Sequence, residues 1–212
     1  MTVAKIIPFR APDDIRQRIL HALSTLVARM GPSNLSLASI AAEAGLDEAL
    51  VKRTFGGFGQ LLDAFAQSDA FWPPLGELAG GDIEALRGRP VGEVLTLFFR
   101  NYLRGVMDRP WTLAVMEAES RSEKNLLTLA LLYIRERRAL EFFEATLDGE
   151  LPDGLDLSAV VLLMAMAVSF LGIRSRSDRT LGGIDVHSSV GMQRIESTIE
   201  YLLQRSIDQG SA

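Results

Sequence analysis

Residues 36–55 read SLASIAAEAGLDEALVKRTF, and they decide the fold. Ser36 offers a hydroxyl that caps free backbone N–H groups at a helix start, and Gly45 can take the left-handed conformation that ends one. About eight residues lie between them. Asp47 then caps a second helix, with Leu46 placed to staple against Val51, and Gly56-Gly57 stops that helix after Phe55. Ala41 and Ala42 are small enough for the two helices to cross closely, while Ile40, Leu50, Val51 and Phe55 can face a supporting helix. The second helix is left projecting. A short helix, a glycine turn and a second short helix form a helix-turn-helix, in which the second helix enters a DNA major groove with its N-terminal residues toward base edges.

Outward from this motif the chain is helical in both directions. Toward the N-terminus, Pro12, Asp13 and Asp14 open a helix that closes at Gly31-Pro32, with a stripe of Ile15, Ile19, Leu23, Leu26 and Met30. Toward the C-terminus a fourth helix runs from Phe58 through Leu61, Leu62 and Phe65 toward Phe71, where Trp72-Pro73-Pro74 stops it and a linker follows. Helical periodicity resumes over 91–107, 110–121, 124–149, 155–175 and 188–207, separated by glycines, prolines or Asp/Ser clusters. Strand signals are sparse, and Gly182-Gly183 marks a loop expected to be mobile. The expected fold class is all-α, with a three-helix helix-turn-helix domain over residues 1–66 and a helical domain over 67–212.

Composition sets bounds. The 212 residues are 48% hydrophobic and 23% charged, which fits a folded globular chain. There is no cysteine, so disulfides, thiolate metal sites and cysteine nucleophiles are excluded. The first ten residues, MTVAKIIPFR, lack an uninterrupted apolar run and a cleavage site, so no export is expected. The most apolar stretch, residues 157–173, is shorter than the roughly 20 residues of a membrane span and reads as a buried helix. Net charge is −5, but residues 1–66 hold seven basic against six acidic side chains, +1 in all, leaving −6 for the remainder. That asymmetry permits an N-terminal nucleic-acid contact without forming a basic patch.

The motif and its surroundings resemble the TetR (tetracycline-repressor-like) family of transcription regulators. The family's pattern is matched over residues 12–66 by Ile19, Leu20, Gly31, Ser36, Ile40, Ala41, Ala44, Gly45, Phe55, Leu61 and Leu62. The resemblance implies a cytoplasmic, ligand-responsive regulator, a repressor, bound as a dimer to a near-palindromic operator on double-stranded DNA. The implied DNA-binding residues are Ser36, Glu48, Ala49, Lys52, Arg53 and Thr54. The departures fall at the same place. Lys52 and Thr54 replace residues that are often aromatic or His, Phe58 stands where a phosphate-binding Lys is usual, and Asp47 and Glu48 replace a Ser and a basic or polar residue. Fewer cations on phosphates lower affinity for any sequence. The alternative function is therefore a TetR-like protein with weakened or lost DNA binding that acts through protein partners. Lys5, Arg10 and Arg16 could add a basic arm.

The resemblance further implies a small-molecule effector cavity and a homodimer formed through the last two helices, with no membrane. Phe98, Tyr102, Met107, Trp111, Met116, Tyr133, Met166 and Phe170 are the candidate pocket residues, because bulky and adaptable side chains suit an apolar site. Phe99 and Met164 belong to the same apolar set. The stretch 160–170 is apolar nearly all round, as for a helix packed on two sides, and Val190, Ile195, Ile199, Leu202 and Ile207 mark a face on the last helix. Two such pairs could form a four-helix interface across a two-fold axis. Arg174 and Arg176 suit the negative end of a helix dipole. No nucleophile elbow, phosphate-binding loop, dinucleotide fingerprint or zinc helix occurs, so the chain reads as a non-enzyme without catalytic residues, metal or cofactor. His21 and His187 take surface or packing roles, and Glu117, Glu119 and Glu123 with Arg121 read as a solvated face.

Overall fold

The computed structural model describes residues 12–147 and 156–208, and among these it is all-α apart from one two-stranded hairpin. Its helices are α1 (Pro12–Met30), α2 (Leu37–Ala44), α3 (Glu48–Phe55), α4 (Phe58–Ala66), α5 (Leu75–Ala79), α6 (Val91–Met107), α7 (Pro110–Ser120), α8 (Leu126–Thr146), α9 (Leu157–Ser175) and α10 (Ser189–Asp208). Lys5 and Arg10 lie outside the described residues.

Local chemistry sets most of the ends. Asn125 starts α8 by accepting from the N–H groups of Leu127 and Thr128, while the Thr128 hydroxyl closes the reciprocal bond of a capping box. Asp156 caps α9 through the Ala159 N–H. Strands β1 (Thr180–Leu181) and β2 (Ile184–Asp185) pair antiparallel about Gly182-Gly183, where the sequence reading placed a loop. Both glycines have positive φ, as a two-residue type I′ hairpin requires.

Two further elements depart from the periodicity. Helix α4 ends at Ala66 instead of near Phe71, and the segment that follows turns while keeping Phe71 and Trp72 buried. The reason lies in α7. Arg109 donates to the Asp69 carbonyl at 3.0 Å, the Trp111 indole to Ala70 at 2.8 Å and the Thr112 hydroxyl to Phe71, so these carbonyls are satisfied across the fold instead of within a helix. The expected linker then contains the short helix α5, ended by Gly80 with φ 71°.

The buried apolar side chains form one continuous cluster running from α1 through α4 and α6 to α10. At its centre the ring of Phe98 lies 4.8 Å from those of both Phe142 and Phe143 and 5.0 Å from Phe99, and Trp72 lies 5.4 Å from Tyr102. Aromatic pairs at these spacings add to the burial itself. Helices α1 to α4 attach to the rest where α1 meets α7 and α4 meets α8.

Candidate nucleic-acid interface

The geometry of helices α2 and α3 is built by caps. Ser36 accepts from the Ser39 N–H at 3.1 Å, and the Ser39 hydroxyl accepts from the Ser36 N–H in return. Gly45, at φ 61°, closes α2 in a Schellman motif: its N–H donates to Ala42 and that of Leu46 to Ala41. The Arg18 guanidinium on α1 donates to the Gly45 carbonyl at 3.3 Å, tying the turn to the supporting helix. Asp47 then accepts from the Leu50 N–H at 2.8 Å, which commits its carboxylate to starting α3. Ile40, Ala41, Ala44 and Val51 are buried, with α2 packed on α1 and α3 on α2 and α4, and Leu50 and Phe55 are half-buried. Ala42 is exposed, so the close crossing rests on Ala41 and Ala44.

The sequence-derived contact residues separate on this frame. Glu48, Ala49, Lys52 and Arg53 lie on the outer face of α3, exposed. Lys52 and Arg53 have no ion pair among the described residues, whereas Arg29 close by is bound to Glu43 at 2.8 Å. The Thr54 hydroxyl turns inward and donates to the Leu50 carbonyl at 2.8 Å, and the Ser36 hydroxyl is held in its capping box. Arg16 is part of α1, and its guanidinium lies 4.5 Å from the centre of the Phe55 ring, a packing role instead of an arm. Phe58 is half-buried on the apolar cluster, so an aromatic ring occupies the first turn of α4 for packing.

The eight candidate pocket residues do not converge. Phe98, Tyr102 and Met116 are buried in the core. Burial pushes the Tyr102 phenol up, while its hydrogen bond with Ser169, at 2.8 Å, pulls the other way. Trp111 is held by its bond to Ala70. Met107 lines a depression of about 350 Å³ with Arg104, Val186, His187, Met192 and Glu196. There Glu196 is only 8% exposed and receives both arms of Arg104, whose own pKa it raises, so α6 and α10 are clamped. Tyr133 lies in a groove of about 700 Å³ between α4 and α8, with Asp63, Gln67, Leu129, Ile134, Arg137 and Arg138.

Met166 and Phe170 belong to the outer face of α9. The expectation that this helix is buried holds for one side alone: Val168, Ser169, Gly172 and Ser175 face inward, while Leu162, Leu163, Met166 and Phe170 are exposed, Leu163 by 69% and Phe170 by 62%. Tyr201 and Leu202 of α10 are exposed as well, and Leu163 shares a shallow apolar depression with Leu202 and Leu203. On α10, Ile199 and Ile207 point into the core and Val190 points out, so the apolar residues read as one face serve two. By length and composition α9, at 19 residues, is apolar enough to cross a bilayer, and 17% of its most apolar window is buried in the chain.

Sequence reasoning missed the polar seam between α1 and the rest. Arg176, just beyond α9, donates to the carbonyl of Ala28 on α1 and to that of Pro110, and pairs with Glu117 at 2.9 Å. Glu117 also pairs with Arg121, which binds Glu123, and Glu123 accepts from the Ser33 hydroxyl at 2.7 Å. That bond, and then Arg121, hold the Glu123 carboxyl below the usual carboxylate range. The acidic cluster read as a solvated face is thus partly a joint. Its signal in the sequence was the density of charge at 117–123, which does not say what the charges meet.

No protein-family model and no curated protein sequence matches the chain. Its structure is similar to that of a TetR family transcription regulator from Marinobacter aquaeolei VT8, at 20% identity over 89% of this chain and 95% of that one, with a TM-score of 0.61. The fatty acid degradation regulator FadR from Bacillus halodurans is similar at 15% identity, 88% and 96% coverage and a TM-score of 0.63. A TetR-family regulator from Haemophilus influenzae Rd matches at 17% identity, 91% and 98% coverage and a TM-score of 0.57. The likeness spans both the helix-turn-helix and the helices that follow it, so the chain has the fold of the TetR-family transcription regulators.

Proposed function

We propose that the chain is a ligand-responsive transcription regulator, a repressor acting in the cytoplasm, that binds a near-palindromic operator as a homodimer. Residues 1–66 serve as the DNA-binding domain and 67–212 as the ligand-binding and dimerisation domain. The observation that carries the reading is the outer face of α3: a capped, exposed helix whose Lys52 and Arg53 have no ion pair among the described residues, where most of the other arginines do. Unpaired cations on a projecting helix suit phosphate and base contacts, since their neutralisation on DNA releases counterions. The fold shared with TetR-family regulators supports the same assignment.

Dimerisation is assigned to α9 and α10, whose exposed apolar residues would be covered by the same face of a second copy. Effector binding is assigned to the α4–α8 groove, because α4 follows α3 directly and a ligand wedged against it would shift the spacing of the two DNA-reading helices. No catalytic residue, cofactor or metal enters this mechanism.

Selection from random duplexes tests the central claim. Wild-type protein is expected to enrich a near-palindrome, and the double variant Lys52→Ala, Arg53→Ala to lose it in a gel shift while retaining the wild-type melting temperature. If wild-type protein enriches no duplex, the operator-binding reading fails and the partner-binding alternative takes its place.

A further inference from the structure

The outer face of α3 carries one acid that the fold does not use. Asp47 is committed to the Leu50 N–H and Glu43 is paired with Arg29, but Glu48, at the first position of α3, is exposed and has neither hydrogen bond nor ion pair among the described residues. Lys52 stands one turn further along the same face, where a Glu–Lys pair commonly closes, and here the two remain apart. A carboxylate set at the groove-facing end of a reading helix is repelled by every phosphate around it. It is tolerated where a base edge supplies a hydrogen-bond donor.

The major-groove edges differ in this respect. Guanine presents two acceptors and thymine one, so both repel a carboxylate, which can only accept. Adenine presents an amino donor beside the N7 acceptor, and the second group offsets the first. Cytosine presents its N4 amino group with an acceptor on one side alone, the O6 of its paired guanine, whereas the adenine amino group lies between its own N7 and the thymine O4. We propose that Glu48 selects cytosine at one position of each operator half-site by accepting a hydrogen bond from the N4 amino group. This rests on the operator-binding reading above. It gives Glu48 the opposite energetic role to Lys52 and Arg53: it lowers affinity for duplex DNA in general and spares the sites that carry the matching base.

The test uses the full chain and its variants Glu48→Ala and Glu48→Gln, each taken through selection from random duplexes, then titrated on the selected operator with all four bases at the position that changed. Wild-type protein is expected to enrich cytosine there and to bind the other three bases roughly tenfold to a hundredfold more weakly, the range of one direct base contact. Glu48→Ala is expected to accept all four bases within about threefold and to bind scrambled duplex more tightly, since an acid has left the groove. Glu48→Gln, whose amide can both donate and accept, should move the preference toward adenine. A Glu48 that only favours the positive end of the α3 dipole would change the melting temperature and leave every base preference intact. Identical profiles for wild type and Glu48→Ala therefore overturn the assignment while operator binding stands. A wild-type protein that enriches no duplex overturns operator binding, and this assignment with it.

Discussion

The outer face of α3 and the outer face of α9 with α10 are both helix surfaces that the chain leaves uncovered, and they are built from opposite chemistry. On α3 the exposed side chains are Glu48, Lys52 and Arg53 around the small Ala49, a surface that water solvates well. On α9 and α10 they are Leu162, Leu163, Met166, Phe170, Tyr201 and Leu202, where each square ångström left in water forgoes about 25 cal/mol. The first surface is well solvated as it stands; the second is an apolar surface that solvent does not satisfy. The regulator proposed above, leaving its operator while staying dimeric, would use that asymmetry, with a reversible polar contact at one end and a lasting apolar one at the other.

The largest effect is therefore expected at α9. Leu163→Arg together with Met166→Arg places two like charges in the face proposed to be shared between copies, and an uncompensated charge buried in an apolar contact costs about 3–5 kcal/mol. Light scattering should give twice the chain mass for the wild type at micromolar concentration and the single mass for the variant, with unchanged helix content. Equal masses for both would reduce the comparison to a free surface patch.

A smaller effect is expected where the two regions meet. Arg176→Ala removes the donors that reach the Ala28 and Pro110 carbonyls and the Glu117 carboxylate, and hydrogen bonds to charged groups contribute roughly 1.5–3 kcal/mol. The expected loss is about 2 kcal/mol of unfolding free energy, read as a lower denaturant midpoint at unchanged m-value, with faster amide exchange in α1 than in α6. Uniform acceleration across the chain would mean that the α1 unit and the helical body open together, and the division at residue 66 would lose its physical sense.

How much of this was legible in the sequence follows from where each determinant lies. The start of α3 was legible because Asp47 and the Leu50 N–H it caps are three residues apart, and the end of α2 because Gly45 must reach φ 61° whatever surrounds it. The end of α4 was not: Phe71 and Trp72 continue an apolar pattern, and only the α7 side chains that take up the carbonyls of Asp69, Ala70 and Phe71 show that the backbone has turned. The same limit applies to the pocket residues. Phe98 and Tyr133 are both aromatic residues on helices, yet one is sealed among Phe99, Phe142 and Phe143 and the other lines an open groove. Arg176 could be read as a dipole partner because charge near a helix end is local information, but its reach to Ala28 crosses 148 positions.

Asp47→Ala sharpens the α3 half of the comparison. Removing an N-cap costs about 1 kcal/mol, and here the cost falls on an eight-residue helix with little reserve. The melting temperature should fall by a few degrees. Because Asp47 carries negative charge beside the reading face, binding to scrambled duplex should weaken less than frayed geometry alone would produce. Asp47→Asn, which keeps the cap and loses the charge, should bind scrambled duplex more tightly than the wild type at unchanged stability. A weaker Asn variant would show that the carboxylate does more than cap.

The smallest effect expected is at Ser33, and its sign with pH is fixed by Glu123. The Ser33 hydroxyl is the first cause of the lowered Glu123 pKa, with Arg121 adding to it. A carboxyl held below its ordinary range in the folded chain stabilises that chain above the ordinary range, and the contribution is lost as pH falls through the lowered value. Ser33→Ala should therefore leave the chain less stable at neutral pH, with the difference from wild type shrinking on acidification until both carboxyls are protonated. Glu123 is half-exposed, so the difference is small and should fade in high salt where Arg121 contributes, but not where the neutral hydroxyl does. Denaturant midpoints at pH 7 and pH 3, each with and without added salt, separate the two causes. A difference that is the same at both pH values would mean that the hydroxyl serves Asn125, whose amide donates to it at 3.4 Å, instead of the Glu123 carboxylate that ties the N-terminal unit to the body.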